Sequence, residues 1–147
     1  MTDYAKARTN MVESQLRPNR ITDAAVIAAF LQVHREDFVP DGLKGTAYID
    51  EDLPIARQRF LMEPMVLARL VQEAAIDPQD VVLEIGTGTG YGAAVVSRLA
   101  RTVVAVEPDQ ALAARARVVL ADRGNVTLVE RACAAGCPEH GDRKSVV

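Results

Sequence analysis

The chain has no excess of positive charge for gripping a polyanion: 17 Lys and Arg against 20 Asp and Glu leave a net charge of −3 over 147 residues. Nucleic-acid-binding surfaces usually cluster basic residues, so no nucleic acid is expected as a partner. There is no apolar stretch near the roughly 18 residues needed to span a bilayer. The opening MTDYAKARTN also lacks an apolar run of the signal-peptide kind. No membrane partner is expected, and the expected location is cytoplasmic. Cysteine is scarce: Cys133 and Cys137 are the two present, with His140 nearby. A structural zinc site wants four ligands, and thioredoxin-like chemistry wants CxxC rather than CxxxC, so no metal is expected. Repeats and low-complexity segments are absent. What is present, 49% hydrophobic and 25% charged residues, suits one soluble globular domain with enough apolar material for a core.

The first half of the chain reads as helical. Tyr4, Met11, Val12 and Leu16 lie loosely on one side of a segment that should stop before Pro18. Thr22 and Asp23 then precede Ala24, Val26, Ile27, Phe30, Leu31 and Val33, whose spacing predicts a helix packed on one face, with Ile21 placed to staple its first turn. Residues 43–60 show little periodicity and are expected to be mostly irregular. Pro64 suits a first helical turn, and Val66, Leu67, Leu70, Val71 and Ala74 follow at helical spacing. Beyond DPQD the pattern changes. VVLEI (81–85), TVVAV (102–106) and VTLV (126–129) are short, β-branched apolar runs of the kind buried on both faces of a sheet. Helical patterns over 91–100 and about 109–122 separate them, the second opened by Pro108 and Asp109 and closed by Gly124. The order βαβαβ predicts a parallel sheet and a doubly wound α/β domain.

In such sheets ligands bind beyond the carboxyl ends of the strands, where the first βα loop meets a helix. Gly86, Gly88 and Gly90 lie on that loop, and lacking Cβ they let a ligand approach the backbone closely. A mere connector needs no such run. A second acid reinforces the reading: Glu107 closes the second strand, where a carboxylate can accept two hydrogen bonds from ribose hydroxyls. A nucleoside-containing ligand follows, with its adenosine across the tops of the first two strands. The dinucleotide pattern GxGxxG fails in its natural register because the last position is Tyr91, although GTGYGA (88–93) matches a shifted GxGxxA form. A nicotinamide-dependent oxidoreductase domain is therefore the alternative. Glu84, inside the first strand, would repel a pyrophosphate and suits an ammonium or sulfonium group instead. S-adenosylmethionine carries both cations, a ribose and a single carboxylate.

VLEIGTGTGYGAAVVSRLA (82–100) followed by VVAVE (103–107) resembles the first two binding motifs of the protein-L-isoaspartate O-methyltransferase family, class I methyltransferases that use S-adenosyl-L-methionine. MVESQLRPNRITDAAVIAAF, HREDFVP and AYIDEDLPI leading to FLMEPMVLARL are similar to the same family, and the resemblance runs from about Thr9 to Gly141. It implies a Rossmann-like class I methyltransferase fold: an N-terminal helical region (1–75) packed on the first half of the α/β domain (76–141), with its first three parallel strands and intervening helices. It implies that Gly86, Thr87, Gly88, Thr89 and Gly90 bind the methionine portion of the cofactor, that Glu84 shapes that end, and that Glu107 holds the ribose. The implied partner is a protein or peptide carboxylate. A carboxylate is already ionised at pH 7, so methyl transfer to it asks for positioning more than for a general base.

The sequence departs from the family pattern in several places. Where the family has ISQP, this chain has Leu61, Met62, Glu63 and Pro64. A thioether donates no hydrogen bond, so no catalytic residue is assigned, Met62 is read as a core residue at a helix start, and a non-catalytic S-adenosylmethionine-binding protein is a further alternative. After the third strand, Arg131 and Ala132 stand where the family has a Gly-Asp pair that meets the adenine amino group. His34 is read as an ordinary half-exposed side chain in the charged HRED cluster, and Arg57 with Arg59 as a solvated face with at most a minor role toward a substrate carboxylate. DRKSVV (142–147) matches the translation of a common sequencing adapter and does not resemble the strand expected there, so residues 142–147 are expected to be a non-native tail.

Overall fold

Asp23 starts the second helix as expected. Its side chain accepts hydrogen bonds from the backbone N–H groups of Ala25 (2.8 Å) and Val26 (3.1 Å), satisfying donors that an uncapped helix leaves unpaired. In the computed structural model, which describes residues 1–135 and the backbone of 144–146, this helix is α2 (Ala24–Gln32), with Val26, Ile27, Ala29 and Phe30 buried. It follows α1 (Tyr4–Met11), which runs on through a π-helical turn at Val12–Leu16 and a 3-10 turn at Arg17–Asn19. The chain thus does not leave its helical path before Pro18. Proline sits in the first turn of the 3-10 segment, where a missing N–H breaks no bond. α3 (Pro64–Glu73) opens on Pro64 and buries Leu67, Ala68 and Val71, while Leu70, expected on that face, is 40% exposed. Gln72 of α3 accepts from the backbone N–H groups of Thr22 and Asp23, at 2.8 and 3.0 Å, and so ties the start of α2 to α3.

The stretch expected to be irregular contains a hairpin. β1 (Leu53–Ala56) pairs antiparallel with β2 (Arg59–Leu61), with Leu53 opposite Leu61 and Ala56 opposite Arg59. Its tight turn holds Gln58 at φ +55°, a conformation that Gly or Asn normally supplies. With strands of four and three residues, a proline inside one and no glycine in the turn, no periodic signal marks it.

β3 (Val81–Ile85), β4 (Thr102–Glu107) and β5 (Val126–Glu130) form the parallel sheet. They are connected by α4 (Tyr91–Val96) and α5 (Gln110–Val119). A fourth short strand, β6 (Lys144–Val146), pairs parallel with β3, giving the order β5-β4-β3-β6. The three expected parallel strands are all present, and β6 adds a fourth to them. The free edge of β3 offers unpaired N–H and C=O groups that an extended segment can satisfy, and residues 144–146 of the expected tail do so. The rest of that tail, at 142, 143 and 147, lies outside the described residues, as do Cys137 and His140.

One core spans both halves of the chain. Phe30, Val33 and Phe38 from the N-terminal region share a buried cluster with Tyr91, Val95, Val96, Val103 and Ala105. On the other face of the sheet, Leu83, Val104 and Val106 form a smaller cluster with Ile85 and Val129 against it.

Candidate cofactor site

The loop after β3 takes a path that requires its glycines. Gly86, Gly88 and Gly90 all have positive φ, +75°, +62° and +98°, a region that side chains rarely adopt. Two of them are also tightly packed: a Cβ on Gly88 would lie 2.8 Å from Ile55 Cδ1, and one on Gly90 would lie 2.7 Å from Leu120 Cδ1. A Cβ on Gly86, in contrast, would meet no atom of the described residues within 4 Å. Four of the five loop N–H groups are bonded inside the protein. Gly86 and Thr87 donate to the Val106 carbonyl (2.8 and 3.0 Å), Gly90 donates to the Thr87 carbonyl, and Gly88 donates to Glu107. Both threonine hydroxyls are likewise engaged: Thr87 Oγ1 donates to Glu84 Oε2 at 2.7 Å, and Thr89 Oγ1 donates to the Phe38 carbonyl at 2.6 Å. The loop therefore offers shape and close backbone approach more than free donors.

Glu84 reaches from β3 to the start of α4, where it also accepts a hydrogen bond from the Ala93 backbone N–H. Burial raises its pKa to about 7, against the opposing effect of the Thr87 and Ala93 hydrogen bonds, with the nearby charge of Glu107 adding to the rise. Its fit explains a fourth glycine that sequence reasoning left unexplained. A Cβ on Gly92 would stand 2.1 Å from Glu84 Oε1, so only glycine lets the carboxylate sit against the helix. The start of α4, where a negative group is favoured, thus holds the protein's own acid.

Glu107, at the end of β4, is fully buried. Each of its oxygens accepts two hydrogen bonds: Oε1 from Arg59 Nη1 (2.8 Å) and Asp109 N (2.9 Å), Oε2 from Arg59 Nη2 (2.7 Å) and Gly88 N (2.8 Å). Burial pushes the Glu107 pKa up, but the Arg59, Asp109 and Gly88 hydrogen bonds outweigh it and hold the carboxyl below its usual range. Arg59 is therefore not part of a solvated face. The turn of the hairpin leaves Arg57 exposed and brings Arg59 back over the sheet. Its position depends on the β1–β2 register, which no local pattern encodes.

Met62 lies partly buried against the main core, and its carbonyl accepts from Arg35 Nη2 at 2.9 Å. The HRED cluster is half interior. His34 is the half-exposed residue expected, 3.9 Å from Asp37, but Arg35 is fully buried, donating to the Ala47 carbonyl at 2.6 Å and lying 4.8 Å from the Tyr91 ring centroid. Glu36 is buried as well, accepting from the Tyr48 hydroxyl and from Arg8. Beside the site, the Arg131 N–H donates to the Glu107 carbonyl at 3.3 Å, and Ala132 is exposed. Among the described residues, no group of three or more His, Cys, Asp or Glu side chains could hold a metal ion, and no helix is long and apolar enough to cross a membrane.

Comparison with known proteins agrees with this architecture. A protein-L-isoaspartate O-methyltransferase of Methylorubrum extorquens is 47% identical over 122 residues, covering 83% of this chain and 54% of the relative. Another from Pelobacter propionicus is 41% identical over 142 residues, covering 95% and 63%. A solved protein-L-isoaspartate O-methyltransferase superposes with a TM-score of 0.77 at 28% identity, covering 90% of this chain and 44% of that one. The chain thus spans between 44% and 63% of the length of these proteins. The family model for protein-L-isoaspartate(D-aspartate) O-methyltransferase matches residues 6–141, and the chain belongs to that family.

Proposed function

We propose that this chain binds S-adenosyl-L-methionine and serves methyl transfer to a carboxylate of a protein or peptide, of the isoaspartyl kind. One observation carries the reading: two carboxylates, Glu84 and Glu107, stand on adjacent parallel strands on either side of a glycine loop with positive φ. Glu84 favours a cationic group beside the loop, because its negative charge is compensated there by hydrogen bonds alone. Glu107, held by the Gly88 and Asp109 amides, is the carboxylate assigned to the ribose hydroxyls. Gly86, Thr87, Gly88, Thr89 and Gly90 give the methionine end its shape. When bound, the cofactor supplies an electrophilic sulfonium methyl. The chain's part is to orient it and exclude water, since the acceptor is already ionised at neutral pH.

The nicotinamide alternative meets a specific obstacle. A pyrophosphate seeks a helix N-terminus, and here the Ala93 N–H is taken by Glu84, whose charge would repel the phosphates. Met62 favours one second reading, cofactor binding without transfer, because its side chain packs in the core and donates no hydrogen bond. A cytoplasmic setting, without nucleic acid or membrane as partner, completes the proposal. Calorimetric titration with S-adenosylhomocysteine and with NAD tests it: binding of the first and not the second is expected, and the reverse would overturn it. Transfer of labelled methyl to an isoaspartyl peptide separates the catalytic reading from the binding-only one.

A further inference from the structure

Glu107 has no acceptor capacity to spare. An ionised carboxylate offers about four lone-pair sites, and here Arg59 Nη1, Arg59 Nη2, Gly88 N and Asp109 N use four. The two backbone donors belong to the loop after β3 and the cap of α5, and both are part of the rigid frame. The two Arg59 donors come from a side chain on a three-residue strand at one end of a two-stranded hairpin, and that side chain is 31% exposed. A guanidinium presents two parallel N–H groups to one carboxylate, and a vicinal diol presents two O–H groups in the same manner. The fork and the diol are mutually exclusive on Glu107.

We propose that Arg59 is an intramolecular competitor for the ribose of the nucleoside ligand, so that binding proceeds by exchanging the guanidinium fork on Glu107 for the ribose hydroxyls while the part-exposed Arg59 side chain swings outward. The inference rests on the cofactor reading above and makes Arg59 an affinity-determining residue. Charge supports the exchange. Withdrawing Arg59 leaves Glu84 and Glu107 facing one site, and a ligand with a sulfonium replaces the cation that left. An ordinary ribose-binding or hairpin-supporting role for Arg59 predicts the opposite result on substitution, because removing a ligand contact or a structural support weakens binding.

The test is titration of S-adenosylhomocysteine into the native chain, Arg59→Ala and Arg59→Gln, with thermal melts to verify folding. Should Arg59→Ala not fold, Arg59→Gln, which keeps most of the side-chain bulk, carries the test. We expect the dissociation constant to fall about tenfold in either variant, the scale of a well-aligned, partly exposed ion pair. Arg59→Lys, with its charge but no fork, should fall between. Binding by the native chain with equal or weaker binding by the variants overturns the competition and leaves the cofactor reading standing. No binding by any of the proteins overturns both.

Discussion

Replacing Glu84 with glutamine should make the protein more stable at neutral pH and leave it little changed in acid. The carboxyl's ordinary pKa of 4.5 is raised to about 7 in the fold, chiefly by burial. A group whose folded pKa is raised binds more protons folded than unfolded, so between these values stability falls as pH rises, by about 1.4 kcal/mol per pH unit. Its favourable contribution is fully present below about pH 4.5 and lost by about pH 7. The full effect is on the order of 3 kcal/mol, a large share of the 5–15 kcal/mol typical of a domain. Glutamine keeps the shape. In one amide orientation its oxygen can accept from the Ala93 N–H while its NH2 donates to the Thr87 hydroxyl, which reverses its role.

Urea unfolding of both proteins at about pH 5, 6, 7 and 8 gives the difference in unfolding free energy at each pH. Other titrating groups, including Glu107 with its lowered pKa, largely cancel in that difference. It should widen in favour of the glutamine variant up to about pH 7 and then level off. Two curves that stay parallel within about 0.5 kcal/mol, the ordinary size of a neutral surface effect, would refute the burial argument. The same charge predicts that a cationic ligand binds more tightly as pH rises through 7, and that the glutamine variant loses this dependence.

Gly92→Ala should destabilise by about 1 to 3 kcal/mol, read by thermal melting, because its Cβ collides with Glu84 Oε1 at 2.1 Å; combining it with Glu84→Ala should recover much of the loss. Tyr48→Phe should cost about 1 to 3 kcal/mol in denaturant unfolding, since the hydroxyl accepts from Arg8 Nε and the Arg35 N–H and donates to buried Glu36. Asp23→Ala should cost about 1 kcal/mol in the same assay, and Asp23→Asn much less, because the asparagine oxygen can still accept from the Ala25 and Val26 N–H groups.

Elements specified by local chemistry were legible in the residues. Asp23, Pro64 and Asp109 begin helices, and the three β-branched runs are strands. The glycines at 86, 88 and 90 occupy positive φ, a backbone requirement that a sequence displays directly. What depended on distant partners was hidden. Arg59 and Glu107 are 48 positions apart, and nothing near Arg59 distinguishes it from exposed Arg57. Arg35 reads as surface in HRED, yet its partners are the Ala47 and Met62 carbonyls and the Tyr91 ring. Glu84 was visible as a misplaced acid in an apolar strand, but its hold on Gly92 needed the turn of α4 to bring them together.

The N-terminal region has a physical reason to accompany a glycine loop that could in principle be held by the sheet alone. Tyr91 follows directly after Gly90 and is fully buried, its ring edge-on to Phe30 at 6.2 Å and to Phe38 at 5.5 Å, with Arg35 over its face. Thr89, one residue before Gly90, bonds to the Phe38 carbonyl. Both anchors belong to the 34–40 segment or to α2, so these elements fix the downstream half of the loop from above while β3 and β4 fix it from below. Three residues with positive φ cost conformational entropy to order, and this packing offsets that cost. The loop can therefore be rigid where it must approach a ligand, while the β1–β2 hairpin meets it through two side chains, Arg59 on Glu107 and Ile55 against Gly88.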